Sequence, residues 1–183
     1  MAEKGTIEPL VSVAWLKEQL EQNTRELVVL DCSYDANKDE CRDVTSPYPN
    51  MIPPPQVFAQ YCGSIGLDNT MHVVLYDNNS RGLFSAPRAY WMFKAFGHDK
   101  VSILNGGLVT WLQNGFPTSS DIVQRPTKIF HATMKKEYLK TYDGMSACVL
   151  FFAASILGKK PPEITVYNGS WTEWGRVRRD TTD

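Results

Sequence analysis

The sequence predicts an α/β fold: a parallel β-sheet whose two faces are both covered by helices. Two observations carry this. First, the strand candidates LVVL (27–30), HVVLY (72–76) and VSIL (101–104) are short, nearly continuous apolar runs, not alternating ones. That is how a strand buried on both faces reads. Second, helical segments punctuated by glycine separate or follow these runs, so strand and helix recur along the chain, as in stacked βα units.

The elements follow in order. Residues 11–22 place Val11, Val13, Trp15, Leu16 and Leu20 at helical spacing, with Ser12 positioned as an N-cap. LVVL then forms a buried strand ending at Asp31. From Asp31 to Pro55 the chain is polar and proline-rich, and its YPNMIPPP portion is expected to be extended, because residues preceding proline avoid the α region. PQVFAQY (55–61) opens a helix that Gly63 and Gly66 end. HVVLY is the second strand. PRAYWMFKAF (87–96) is a helix with proline in its first turn. VSIL is the third strand, and LVTWLQN (108–114) a helix closed by Gly115. Ser119 to Lys140 is polar and reads as a linker or a weak helix. Ser146 to Leu157 is a strong helix, broken by Pro161 and Pro162. ITVY (164–167) is a strand, Trp171 starts a last helical turn, and RVRRDTTD frays.

Composition narrows the function classes. Of 183 residues, 43% are hydrophobic, enough for a sizeable core, and the net charge of -1 lacks the basic surplus of a nucleic-acid binder. The longest apolar run, 147–157, is well short of the roughly 20 residues that span a bilayer. The N-terminal MAEKGTIEPL resembles neither a secretory signal nor a transit peptide, which points to the cytoplasm, with mitochondria as the alternative. Cys32, Cys41, Cys62 and Cys148 form no CxxC, and His72, His98 and His131 have no ligand spacing. No metal site and no cofactor are expected, and the thiols are expected reduced.

The end of the chain echoes its middle. LNGGLVTW (104–111) matches YNGSWTEW (167–174), with Asn-Gly six residues ahead of a tryptophan in each. Upstream, Ser85-Ala86 opens a helix that stops at Gly97, and Ser146-Ala147 opens one that stops at Gly158. Each copy reads loop, Ser-Ala, helix, glycine, apolar strand, Asn-Gly, Trp, which indicates an internal repeat. The copies are unequal, because no apolar strand precedes TYDGMSAC (141–148).

These residues resemble the rhodanese family, and within it the two-domain thiosulfate and mercaptopyruvate sulfurtransferases. The stretch from Gly63 to Pro117, with VSVAWLKEQL, LVVLDCSYD and SPYPNMIPPPQVFAQY ahead of it, resembles the first, non-catalytic domain of that group. GMSACVLFFAASILGK with VYNGSWTEW resembles the rear of the second, catalytic domain. The resemblance implies a rhodanese-like central parallel sheet plus a partial second repeat. It divides the chain into a rhodanese-like domain at 8–118, a linker at 119–140 and a second-domain remnant at 141–177. It also implies sulfane-sulfur transfer through a cysteine persulfide, held by backbone N–H groups at a helix N-terminus.

Aligned to the family motif by its tail, Gly144, Met145, Ser146, Ala147 and Cys148 fit. Thr141 then falls on the nucleophile position and Tyr142 on the motif's first glycine. The corresponding position of the first domain is Asp77. Neither oxygen side chain can form a persulfide, so no catalytic residue is expected and the chain is expected to be inactive. Two further departures are the absence of a His-x-Pro-Gly-Ala turn after LDCS and of the second domain's opening strands, with the arginines that would grip substrate. Gly144, Met145 and Ser146, with Arg88, remain candidates for binding a small sulfur-containing anion. Cys148 is a tempting substitute nucleophile, but an apolar helix suits core packing better. The glycines around Cys62 mimic an active loop without the helix a cradle needs, and nothing activates Cys32 or Cys41. Three readings follow: an impaired sulfurtransferase, a non-enzymatic anion- or partner-binding module able to pair with a complete homologue, and a poorly folded chain. Neither nucleic acid nor membrane is an expected partner.

Overall fold

The computed structural model describes residues 7–22, 24, 26–33, 51–79, 83–121, 123–140 and 145–167. The polar connection at 34–50, the 141–144 turn and everything after Tyr167 lie outside that set. Cys41, Trp171 and the second Asn-Gly-to-Trp landmark fall there as well.

A four-stranded sheet holds the molecule together, in the order β1-β4-β3-β2, with every neighbour parallel. Its strands are β1 (Leu10–Val11), β2 (Leu27–Asp31), β3 (His72–Tyr76) and β4 (Val101–Leu104). Helices α1 (Val13–Glu21), α2 (Pro55–Ser64), α3 (Ala86–Ala95) and α4 (Gly107–Gln113) connect or follow them. Successive residues of a strand face opposite sides of the sheet. Accordingly Val28, Val73, Leu75, Val101 and Ile103 enter one hydrophobic cluster with Phe58 of α2, Trp91 and Phe93 of α3, and Phe96 just after α3. Leu27, Val74 and Leu104 enter the other, with Val13 and Leu16 of α1, and Trp111 and Phe116 flank it. The continuous apolar runs are therefore apolar for the expected reason.

The two-residue β1 is absent from the periodicity. Leu10 and Val11 precede the helix directly, and only pairing with Ile103 and Leu104 makes them a strand. The helix expected from Val11 starts at Val13, where Ser12 caps it by accepting the Trp15 N–H at 3.1 Å.

Among the described residues of 119–140 there is no α-helix; the helical piece there is a 3-10 turn at Lys136–Tyr138. Much of the segment is a strap bonded to the first unit. Lys128 N–H donates to the Gly63 carbonyl (3.0 Å), and Thr133 and Lys135 donate to the carbonyls of Phe96 and Ala95. Asn69 pairs with the His131 backbone in both directions, at 2.8 and 2.9 Å. Phe130 is buried beside Phe58, Phe93 and His98. A Cβ on Gly63 would lie 2.4 Å from the Lys128 carbonyl oxygen, so this glycine admits the strap as well as sitting near a helix end.

Helix α5 (Met145–Ile156) packs on α3, with Phe152 edge-on to Tyr90 and Phe151 beside Tyr138. Cys148, Phe151, Phe152 and Val166 join the same cluster as α3. The strand expected at 164–167 is shorter. As β6 (Val166–Tyr167) it pairs in parallel with β5 (Leu139–Lys140), in a two-stranded sheet separate from the first. Both α3 and α5 are followed, two residues on, by a left-handed glycine, Gly97 (φ 87°) and Gly158 (φ 79°).

Candidate functional site: a cradle filled from within

At the C-terminal end of a parallel strand, the chain turns into a helix whose first N–H groups have no partner inside the helix. An anion placed there gains both hydrogen bonds and the helix dipole. Here β3 ends at Tyr76 and α3 begins at Ala86, and the residue after β3 is Asp77. Its carboxylate turns inward and is 3% exposed. One oxygen, Oδ2, accepts the backbone N–H groups of Phe84 (2.9 Å), Ser85 (3.0 Å) and Ala86 (3.1 Å). The Ser85 hydroxyl lies 3.5 Å from the same oxygen. The anion in this cradle is thus the protein's own side chain.

The Asp77 backbone ties in a second helix start. Leu108 N–H donates to the Asp77 carbonyl at 3.1 Å. A Cβ on Gly107 would come within 2.4 Å of that carbonyl oxygen, and Gly107 has φ 55°, so only glycine fits without displacement. One residue thereby joins β3, α3 and α4.

The neighbouring β2 end brings Asp31, Cys32 and Ser33 alongside. Cys32 N–H continues the sheet ladder to the Tyr76 carbonyl (2.7 Å), and the Ser33 hydroxyl accepts the Asn78 N–H at 3.1 Å. Burial pushes the Cys32 thiol up to about 12, and the negative charges of Asp31 and Asp77 push the same way. Tyr76 is raised to about 12 by burial and by Asp31. Cys32 is therefore a protonated thiol in an electronegative corner, a poor nucleophile. Cys62 and Cys148 are buried in the core.

The candidate residues separate as follows. Asp77 is at the cradle. Arg88 lies in the first turn of α3, half-buried, its N–H bonded to the Ser85 carbonyl (3.0 Å). Met145 and Ser146 are the first two residues of α5, and Thr141 and Gly144 lie outside the described residues. No group of three or more His, Cys, Asp or Glu among the described residues could hold a metal. No helix among them is long and apolar enough to cross a membrane.

Sequence reasoning missed a polar relay at the opposite end of β3. Ser102 donates its hydroxyl to the Glu8 carbonyl, so its oxygen accepts from His72 Nε2 at 2.8 Å, which sets the proton on Nε2. Burial holds His72 down to about 4, with His98 and Lys100 adding to the effect. Only the β3–β4 pairing brings these residues together.

The model of the rhodanese-like domain matches residues 12–114, which span all four helices around the sheet and Asp77 itself. The chain belongs to the rhodanese-like family. Among its rhodanese-like relatives, the thiosulfate sulfurtransferase of Cricetulus griseus is 41% identical over 157 residues, covering 73% of this chain and 53% of that protein. The 3-mercaptopyruvate sulfurtransferase of Homo sapiens is 38% identical over 167 residues, covering 78% of this chain and 56% of that protein. The chain thus spans about half the length of the curated relatives it matches. Among solved structures, the rhodanese-fold 3-mercaptopyruvate sulfotransferase SseA from Escherichia coli superposes with a TM-score of 0.65 at 28% identity, over 80% of this chain and 62% of that one. Tum1 from Saccharomyces cerevisiae shares the fold at 20% identity, with a TM-score of 0.62.

Proposed function

We propose that the chain is a rhodanese-like member of the thiosulfate / 3-mercaptopyruvate sulfurtransferase group that carries no working sulfur acceptor. The observation that carries this reading is what occupies the two strand-to-helix turns. A persulfide-forming site needs a thiolate among convergent N–H groups; the cradle after β3 holds the Asp77 carboxylate bonded to three of them, as suits the non-catalytic type of domain, so the loss of activity rests on Thr141 in the second turn. The described thiols do not substitute. Cys32 is held protonated, and Cys62 and Cys148 are in the core. In the second repeat proposed for 141–177, Thr141 takes the nucleophile position, and its hydroxyl cannot hold sulfur as a persulfide. In this reading residues 8–118 are the non-catalytic type of domain and 119–140 join it to the remnant. The proposed compartment is the cytoplasm, with mitochondria as the alternative.

The test is incubation with thiosulfate or 3-mercaptopyruvate followed by intact-mass measurement. No gain of one sulfur atom is expected on any of the four cysteines. A stable sulfur adduct, or turnover abolished by replacing one cysteine, overturns the reading.

A second reading is favoured by one feature. Helix α5 is apolar around most of its circumference, and Leu150 at its middle, Ile156 at its end and Leu157 just beyond are 73, 47 and 80% exposed. A helix of that kind is usually covered. This supports a partner-binding module that pairs with a complete homologue. Co-elution with the homologue on size exclusion, lost on Leu150→Lys, is the expected result; independent elution removes this reading.

A further inference from the structure

A cleft of about 940 Å³ opens between the residues leading into β1, the α3–β4 turn, the 3-10 turn and the end of α5. It lies at the other end of the sheet from Asp77. Pro9 and Lys100 precede the first residues of β1 and β4, whereas Asp77 follows the last residue of β3, and all these strands run parallel. The cleft is therefore independent of the cradle.

Its charge departs sharply from that of the whole chain. Lys94, Lys100, Lys135, Lys159 and Lys160 line it against Glu8 and Asp99, and Lys159 is further paired with Glu163 at 2.8 Å, which leaves a surplus of two positive charges in a protein of net charge -1. Asp99 lies between Lys94 Nζ (3.4 Å) and Lys135 Nζ (3.1 Å). Rings help set the ammonium positions, with Lys94 Nζ 5.7 Å from the Tyr90 centroid and Lys135 Nζ 5.9 Å from that of Tyr138. The Lys94 side chain is only 18% exposed, and desolvation lowers its pKa. A second anion in the cleft would offset that desolvation. Pro9, Phe151 and Ile156 give the cleft an apolar stretch of wall, beside Ser155.

We propose that this lysine cleft binds a small phosphorylated molecule carrying two or more negative charges on an aromatic or apolar body. The volume lies in the range of small-molecule sites, roughly 300–1,000 Å³. The charge surplus calls for more than one negative charge. All the basic groups are lysines, point charges with rotatable N–H groups that suit tetrahedral phosphoryl oxygens. Among the described residues no arginine lines the cleft, so an anion there meets rotatable point charges and not the planar fork that grips carboxylate or phosphate bidentately. The apolar wall calls for a body beyond the phosphates.

Titration calorimetry of the full chain with ADP and with inorganic pyrophosphate tests this. Saturable binding of both is expected, with ADP at least about tenfold tighter, since only ADP reaches the apolar wall. Lys135→Gln combined with Lys160→Gln weakens both probes by about tenfold or more, as two of the positive charges lining the cleft are lost. Lys17→Gln, which removes a charge on α1 paired with Glu21 outside the cleft, leaves binding unchanged. If the double variant fails to fold by circular dichroism, Lys100→Gln carries the same test. Failure of either probe to saturate, equal binding by wild type and cleft variant, or equal weakening by Lys17→Gln overturns the site. Pyrophosphate binding as tightly as ADP overturns the assignment of an aromatic or apolar body.

Discussion

Replacing Asp77 with alanine removes the shared acceptor of three backbone donors. Their exposures differ. Ala86 is 0% exposed and Ser85 is half-buried, whereas Phe84 is 41% exposed, so water reaches the Phe84 N–H most readily. Loss of a helix-capping side chain costs about 0.5–2 kcal/mol. A buried donor left unpaired costs about 1–3 kcal/mol more. With one donor rehydrated and a small cavity open to the others, the net loss is about 3 kcal/mol, a large share of the typical 5–15 kcal/mol of a domain. Urea denaturation at neutral pH measures it, with an unchanged slope showing that the unfolded state is unaffected. The emptied cradle then leaves its N–H groups available to an external anion. Millimolar thiosulfate or sulfate is expected to raise the melting midpoint of Asp77→Ala by more than that of the wild type. A loss under about 0.5 kcal/mol, or equal stabilisation of both proteins by thiosulfate, refutes the claim that Asp77 is the anion the cradle was folded around.

Three further outcomes are expected. His72 has a folded pKa of about 4, below the ordinary 6.5, so its contribution to stability is complete above pH 6.5 and is lost as pH falls toward 4. Because the ring is half-buried, solvent screening reduces that contribution to about 1–2 kcal/mol; His72→Gln should flatten this part of the pH profile, while His98, shifted in the same direction, keeps the remainder. Gly63→Ala forces a Cβ against the Lys128 carbonyl and should cost about 1–3 kcal/mol, with hydrogen exchange rising first at Lys128 and Thr133. Phe152→Ala should cost about 3–5 kcal/mol in a single cooperative transition, because Phe152 is 4% exposed against Tyr90 and belongs to the same core as the sheet. A separate early transition for α5 in either thermal or denaturant unfolding would show instead that the C-terminal elements fold independently.

The poorly folded alternative conflicts with that shared core. Phe151, Phe152 and Val166, three apolar residues of the C-terminal elements, are buried against α3 and the strap. What stays uncovered is narrower, centred on Leu150 and Leu157.

The amino-acid order alone determined the doubly covered parallel sheet, the positions of β2, β3 and β4, and the helices after Pro54 and Ser85. Each is written in a local pattern, either an unbroken apolar run or a 3.6-residue stripe closed by glycine, and such patterns depend on residues only a few positions apart. It also marked Asp77 as the acidic residue that directly follows the second apolar run, HVVLY. Three features came only from the tertiary structure. Leu10–Val11 became a strand because β4, some ninety residues later, offered an edge. The strap at 119–140, polar and without period, gained its course from backbone hydrogen bonds to Gly63, Ala95 and Phe96, which no side-chain pattern encodes. The lysine cleft came together from residues spread between Ile7 and Pro161. Hydrogen bonds and charges act through space, so which of them meet was decided by how the chain closed on itself.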